Sequence, residues 1–415
     1  MLPRFDAVIV GAGAAGLFCA GIAAQRGLRV ALIDHSDRLA EKIRISGGGR
    51  CNFTNLEADR PERFISRDPR FARHALRSYG PDRFIALLKG YGIGWHEKHR
   101  GQLFCDDSSE RIIEMLRSEC DRGGVHWLRP CAVHEVAQSD SSGFLLRTDA
   151  GEVRCTSLVI ATGGLSIPKI GATDWGLRLA RQFGLEVIEP RPALVPLTFT
   201  DQAWQPFSAL SGLALEVDLS LPERPDAPRF REDLLFTHRG LSGPAILQGS
   251  SYWQAGEPVA IDLAPGQDLA QALTQARDGT RQQLGTVLSA VVPKRLAQTW
   301  LADAGVVALV PAAPGGAAVS ERRIAELGNR TLQALASRFK DWRIQPAGTE
   351  GWRKAEVMAG GVATAELDPK SLQSRRIPGL HFIGEVVDVT GWLGGYNFQW
   401  AWASGWCAAT ALPKR

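Results

Sequence analysis

Residues 6–34, DAVIVGAGAAGLFCAGIAAQRGLRVALID, constrain the fold of this chain more than any other segment. An apolar run, Ala7–Val10, enters Gly11-Ala12-Gly13-Ala14-Ala15-Gly16. A helix of small residues is predicted to about Arg26, and a second strand, Leu28–Ile33, ends in Asp34. Strand, glycines, helix, strand and terminal acid, in that order, make a βαβ unit with a dinucleotide fingerprint. Gly11 permits the tight turn, Gly13 lets the backbone approach a pyrophosphate, and Gly16 lets helix and strand pack closely. The helix N-terminus offers N–H groups and partial positive charge to phosphates. Asp34, with His35 beside it, is placed to bind the ribose hydroxyls. The expected fold class is α/β, with a Rossmann-like parallel sheet.

A chain of 415 residues predicts two or three domains. The dinucleotide grammar is expected in 1–190 and again in 350–415. Between them, short apolar runs broken by Pro and Gly predict a small barrel-like β module over 191–265, followed by a helical stretch over 266–349. Elsewhere 70–90 and 108–122 read as helices, and a helix is predicted from Asn397 to about Thr410. The formal charge of +4 is small for this length, and no basic stripe interleaved with aromatics stands out, so no nucleic-acid partner is expected. No apolar run reaches membrane-spanning length, so no membrane partner is expected. The first strand begins almost at Met1, which predicts no signal peptide and a cytoplasmic protein. Seven cysteines without a CxxC pair are expected to be reduced core residues. His96, Glu97 and His99 match no metal-ligand spacing; a solvated loop is expected there and no metal site.

Three further glycine-rich segments extend the dinucleotide reading. Lys42, Arg44 and Ser46-Gly47-Gly48-Gly49-Arg50-Cys51-Asn52 follow the ribose-binding strand; the loop can lay successive N–H groups along a ligand, and the basic residues can offset phosphate charge. Leu158–Gly164 is a buried strand ending in Ala161-Thr162-Gly163-Gly164, where open α/β sheets bind ligands. Gly384-Glu385 and Asp388, then Gly394-Gly395-Tyr396-Asn397, precede the last helix. An acid after a Gly-ended strand can bind ribityl hydroxyls, and the helix N-terminus can stabilise negative charge on a reduced flavin. The competing assignments are a surface loop, an ordinary strand end, and a helix capped by Asn397.

The motifs GAGAAG, ISGGGRCNFTN, ATGGLSIPKIG, FTHRGLSGPAIL, AGGV and GLHFIGEVVDVTGWLGGYNFQWAWASG occur in this order. Over nearly its whole length the chain resembles the bacterial FAD-dependent flavoproteins called YhiN-like or BaiN-like, also known as an aminoacetone oxidase family. The resemblance implies non-covalent FAD, a two-dinucleotide-binding-domain type of fold, and an inserted β barrel with a helical part. It carries FAD contacts to Gly11, Gly13, Ala15, Gly16, Asp34, Lys42, Ser46, Gly49, Arg50, Asn52, Thr162, Gly163, Gly384, Asp388 and Asn397. Ala14, His35, Arg44, Gly47, Gly48, Cys51, Val133, Ala161, Gly164, Glu385, Gly394, Gly395 and Tyr396 complete the expected set. Departures from the family pattern fall at Gln102, Phe104 and Cys105, and at Thr173–Gly176. Family activities include reduction of carbon–carbon double bonds in steroid-like acids and amine oxidation.

The expected function is therefore an FAD-dependent oxidoreductase passing hydride to or from a small organic molecule. NADH or NADPH is the expected transient donor, bound between the FAD domain and the insertion, or oxygen the acceptor. In the insertion, His238 and Arg239 are candidate catalytic residues, one to move a proton and one to hold an anion; sealing a domain interface is the competing role. Cys51 is expected to pack on the ring rather than act as a nucleophile, and the tryptophans at 392, 400, 402 and 406 to fill core. A flavoprotein that senses redox state, its insertion binding a protein or RNA, is the alternative. The sequence does not set the oligomeric state.

Overall fold

The computed structural model describes residues 4–139, 143–278, 281–312 and 316–414. The chain divides into two units, Met1–Pro192 with Ala355–Arg415, and Ala193–Lys354. In the first, β1 (Phe5–Val10), α1 (Ala14–Gln25) and β2 (Val30–Ile33) form the opening βαβ unit. Then come α2 (Glu110–Gly123), β3 (His126–Leu128) and a meander of β4 (Val133–Gln138), β5 (Phe144–Thr148) and β6 (Gly151–Ile160). The returning chain adds β7 (Leu380–Phe382) and α3 (Tyr396–Ala411). Parallel pairing runs β3-β2-β1-β6-β7, and the first half of β6 also carries β5 and β4 antiparallel. The central strands are buried along their whole length, which is why Ala7–Val10, Val30–Ile33 and Leu158–Ile160 read as unbroken apolar runs.

Helix α1 is buried on nearly every side, between α2 and α3. Small residues make this possible. A Cβ on Gly21 would lie 3.1 Å from the Glu119 Cβ, one on Gly123 2.6 Å from the Ala24 Cβ, and one on Gly405 2.9 Å from the Ala15 carbonyl oxygen. A helix enclosed on all sides needs no polar face, and this one has none. In α3, Trp400 and Trp402 are fully buried. Trp402 stacks on Phe84 with ring centroids 4.4 Å apart and donates to the Phe53 carbonyl at 2.8 Å. These tryptophans fill core.

The helical stretch at 70–90 is two helices, Arg73–Ser78 and Pro81–Gly90. Pro81 cannot donate within a helix and therefore opens the second one. A three-stranded antiparallel sheet of Asn52–Asn55, Gln102–Cys105 and Trp95–His99 was not foreseen. His96, Glu97 and His99 lie on its outer strand rather than in a loop, with His96 Nδ1 2.7 Å from the Asp106 carboxylate.

The second unit holds a seven-stranded antiparallel sheet in the order Trp342–Ile344, Val259–Asp262, Ala214–Ser220, Phe230–Phe236, Gly240–Ser242, Leu197–Thr198, Gly348–Thr349. Its two edge strands are separated by three residues, which span at most about 14 Å. Seven flat strands would put the edges about 29 Å apart, so the sheet curls towards closure. The helices Leu269–Arg277, Leu284–Ser289, Lys294–Ala302 and Asn329–Lys340 precede its last strands. Residues 342–349, assigned to the helical stretch by sequence, thus belong to the sheet; they are too short to show a period.

One buried titratable group in β7 makes stability depend on pH. His381 is enclosed, its Nδ1 3.0 Å from the Ser371 carbonyl and its Nε2 without a hydrogen-bond partner among the described residues. Burial pushes its pKa down to about 4. A histidine lowered in the folded state contributes stability in full above its unfolded pKa of about 6.5, and loses it as pH falls towards 4. Urea unfolding at pH 8 and pH 5 should therefore show wild type losing about 2 kcal/mol more than His381→Gln; equal losses would contradict the assignment.

Candidate functional site

Three glycine turns leave the carboxyl ends of neighbouring parallel strands β1, β6 and β7. The ladder continues into them, with the Ala161 N–H donating to the Val10 carbonyl at 2.8 Å and the Ile383 N–H to the Ile160 carbonyl at 3.0 Å. Two glycines of the first turn are enforced by protein backbone. Gly11 has φ +108° and its Cβ would lie 2.4 Å from the Ala161 carbonyl oxygen; a Cβ on Gly16 would lie 1.8 Å from that of Gly11. Gly13 differs, because a Cβ there would meet no atom of the described residues within 4 Å apart from its own chain neighbours. Steric demands of the protein do not explain it, whereas close approach of a phosphate to the α1 N-terminus does. Gly384, at φ +71°, completes the junction, since its Cβ would stand 2.9 Å from the Ala15 Cβ.

Around the end of β2, Asp34 is held by backbone. Its Oδ2 accepts the Ala12 N–H at 2.5 Å and its Oδ1 the Ser36 N–H at 2.8 Å. A carboxylate offers about four lone-pair positions, so capacity for ribose hydroxyls is left. The Cys131 N–H donates to the Asp34 carbonyl at 2.8 Å, bringing the start of β4 and Val133 to the same corner. His35 is half exposed and lies against Gly171. Within the second turn, Thr162 Oγ1 is buried without a hydrogen-bond partner among the described residues. An orphaned hydroxyl and an open cradle at Gly13, Gly48 and Gly49 fit a dinucleotide.

The charges are arranged differently from the sequence expectation. Lys42 Nζ lies 2.6 Å from both Glu385 Oε2 and Ser166 Oγ, and Glu385 Oε1 accepts the Met358 N–H at 2.8 Å. Glu385 therefore stands beside Gly163 and Gly164. Asp388 lies apart, buried, accepting the Arg67 N–H at 3.1 Å, and burial raises its pKa. Arg44 is engaged by Glu41 at 2.6 Å and by Glu110, so its guanidinium is neutralised by carboxylates. Arg50 is exposed, and its side chain makes no ion pair or hydrogen bond among the described residues. Gly47, Gly48, Gly49 and Cys51 all have positive φ, so the loop folds back and the Cys51 N–H reaches the Ser46 carbonyl at 3.1 Å. Burial raises the Cys51 thiol pKa, keeping it protonated.

The last turn is braced by side chains. Asn397 Oδ1 accepts the Gly391 N–H and its Nδ2 donates to the Gly391 carbonyl, both at 2.8 Å. Asn397 thus closes the turn from inside the helix, and Gly395 is the N-cap. A Cβ on Gly395 would lie 2.3 Å from the Thr54 carbonyl oxygen. With the Asn52 amide oriented for bonding, its oxygen accepts the Gly395 N–H at 3.2 Å. Tyr396 is buried edge-on against Phe64. Gln102 packs over Gly394, and the Phe104 ring against Gly47. The family departures at 102–105 therefore lie on the strand bridging two of the turns. Ser166, Thr54, Asn55 and Gln399, which bind these loops together, lie inside the motifs quoted above, but nothing in the local sequence marks their side chains as braces. His238 and Arg239 sit exposed on a hairpin turn of the second unit, where Arg239 lies 3.4 Å from Glu350.

The glycines separate ligand binding from folding. Gly13→Val should leave thermal stability near wild type while weakening flavin binding by roughly tenfold or more, read as the loss of visible absorbance on gel filtration. Gly16→Ala should cost about 2–3 kcal/mol of stability whatever is bound. Equal flavin retention in Gly13→Val and wild type would rule out the cradle.

The chain is 48% identical over 412 residues to the ribosomal RNA dihydrouridine synthase of Escherichia coli K12, covering 99% of this chain and 98% of the relative. It is 43% identical to the protein of the same name from Haemophilus influenzae, covering 98% of each. It is 29% identical to the 3-dehydro-bile acid delta(4,6)-reductase of Clostridium scindens, again covering 98% of each. These names overturn the expectation of a small-molecule substrate with no nucleic acid; the first part rested on the family resemblance, the second on the small net charge and on no basic stripe interleaved with aromatics standing out. No helix among the described residues is long and apolar enough to cross a membrane. The profile described as "HI0933-like protein Rossmann domain" matches residues 5–411, and the chain belongs to that family, the flavin-dependent oxidoreductases that its motifs resemble.

Proposed function

We propose that this protein is an FAD-dependent reductase of the C5=C6 double bond of uridine in ribosomal RNA, acting in the cytoplasm with NADH or NADPH as transient donor. The similarity of 48% over 99% of the chain to a ribosomal RNA dihydrouridine synthase carries this reading. The third relative supports its chemistry. The double bond of uracil is conjugated to the C4 carbonyl, as the double bonds of a 3-oxo-Δ4,6 steroid are to theirs, so one kind of site serves both. In each, hydride adds to the carbon remote from the carbonyl and a proton to the adjacent carbon.

Bound flavin supplies the hydride; the protein supplies position and electrostatics. Gly13 and the α1 N-terminus would hold the pyrophosphate, Asp34 the ribose, and Thr162 Oγ1 and the Gly47–Gly49 N–H groups further polar atoms. Lys42 stands beside the second turn, its Nζ oriented by Glu385 and Ser166. The first N–H groups of α3 favour negative charge at the end of that helix. His238 and Arg239 remain candidates for proton and anion handling.

The test is direct. Protein incubated with NADH or NADPH and transcribed, unmodified ribosomal RNA should convert uridine to a nucleoside two hydrogens heavier, detected by mass spectrometry of the digest. Unchanged RNA, with flavin instead reoxidised by a 3-oxo-Δ4 steroid acid, would replace this reading by the small-molecule one.

A further inference from the structure

Residues 60–83 contain seven arginines (60, 63, 67, 70, 73, 77 and 83) against three acids, a local excess as large as the +4 of the whole chain. Arg60, Arg67, Arg70, Arg73, Arg77 and Arg83 are exposed. Their neutralisation is uneven. Glu57 takes Arg60 and Arg63, at 3.0 and 3.2 Å, and Glu186 takes Arg67 at 2.7 Å. Among the described residues the Arg70 guanidinium has only Asp68, at 3.8 Å, and the side chains of Arg73 and Arg77 make no ion pair or hydrogen bond. Arg73 and Arg77 share one face of the helix Arg73–Ser78, whose opposite face, Ala75 and Leu76, is buried. One turn of helix, about 6 Å, separates them, close to the spacing of neighbouring phosphates along a strand.

The ridge is attached to the site. Phe64–Ile65 pairs with Thr390–Gly391, the Trp392 N–H donates to the Arg63 carbonyl at 3.0 Å, and the Arg63 guanidinium lies 4.3 Å over the Trp392 ring. The Arg67 N–H is bonded to Asp388, and the Tyr79 carbonyl accepts from Gln399 of α3 at 2.6 Å. The arginines therefore run outward from the braced Gly391–Asn397 turn, along the helix whose N-terminus that turn forms. Beside them opens a concavity of about 310 Å³, to which Arg67, Arg70, Phe71 and Arg375 contribute together with the carboxylates Asp68 and Glu186. Arg375 adds a cation from a distant segment.

Resting on the ribosomal RNA reading above, we propose that Arg70, Arg73 and Arg77 form the track on which the phosphate backbone of the RNA lies while its target base reaches the glycine-turn site. Exposed ion pairs such as Arg67–Glu186 are weak and exchange readily for phosphate. These arginines position the substrate and touch no reacting atom.

The experiment uses flavin-loaded protein and transcribed ribosomal RNA, with binding measured by filter retention across a salt series. Combined Arg70→Ala, Arg73→Ala and Arg77→Ala should keep the visible spectrum and melting temperature. It should weaken RNA binding about 100-fold at 0.1 M salt and flatten the log–log salt slope by about 2. Arginine-to-lysine replacement at the three positions should retain the slope. Binding within twofold of wild type at unchanged slope would overturn the proposal, as would wild-type protein that does not bind the RNA. Dihydrouridine is scored in parallel. RNA binding that depends on the ridge without dihydrouridine would sustain the track and sink the reductase reading. Dihydrouridine formed with unchanged KM by the triple variant would do the reverse.

Discussion

The structure depends on one close approach, that of the α1 N-terminus to the carboxyl ends of β1 and β6. Gly16 sits against the Gly11 carbonyl and Gly11 against that of Ala161, at separations no side chain tolerates. Backbone meeting backbone at this distance puts the first turn of a helix at the rim of the sheet, its N–H groups directed to the crevice. Gly384 and Gly405 repeat the device on the other flank, against Ala15. Parts of the chain more than 350 residues apart in sequence thereby share one few-ångström junction.

Packing alone would leave the outer loops free to drift, and polar side chains prevent it. Thr54 Oγ1 bonds Gln399 at 2.6 Å, Gln399 reaches the Tyr79 carbonyl, and Asn55 donates to the Gly394 carbonyl at 3.0 Å. Buried bonds of this kind are costly to leave unmade, so each fixes a geometry. The strand Asn52–Asn55 joins the early glycine loop to the last turn, and Gln102–Cys105 pairs with it from outside. Loops tied together in this way present a rigid frame to whatever they enclose.

Charge follows a similar division. Near the turns, Lys42 is matched by Glu385 and Arg44 by Glu41 and Glu110, so basic residues next to a phosphate-binding motif need not face phosphate. Farther out, Arg70, Arg73 and Arg77 have no comparable match. Net charge summed over the chain hides both facts; together with the failure of the basic stretch 60–83 to stand out as a stripe, it misdirected the expectation about nucleic acid.

The sequence by itself determined the βαβ unit, the order of the glycine turns and the α/β class, because tight turns and buried parallel strands leave local signatures in glycine and in continuous apolar runs. It marked Gly11 and Gly16 for turn and packing and Gly13 for ligand approach, the same division that the backbone contacts of Gly11 and Gly16 and the open space at Gly13 display. Only the tertiary structure decided that Glu385 rather than Asp388 stands beside the second turn, and that Asn397 braces a loop instead of capping a helix. It also brought 342–349 into the second unit's sheet. Partners in a hydrogen bond or ion pair are chosen by the fold from residues far apart in the chain, and no periodicity or spacing encodes that choice.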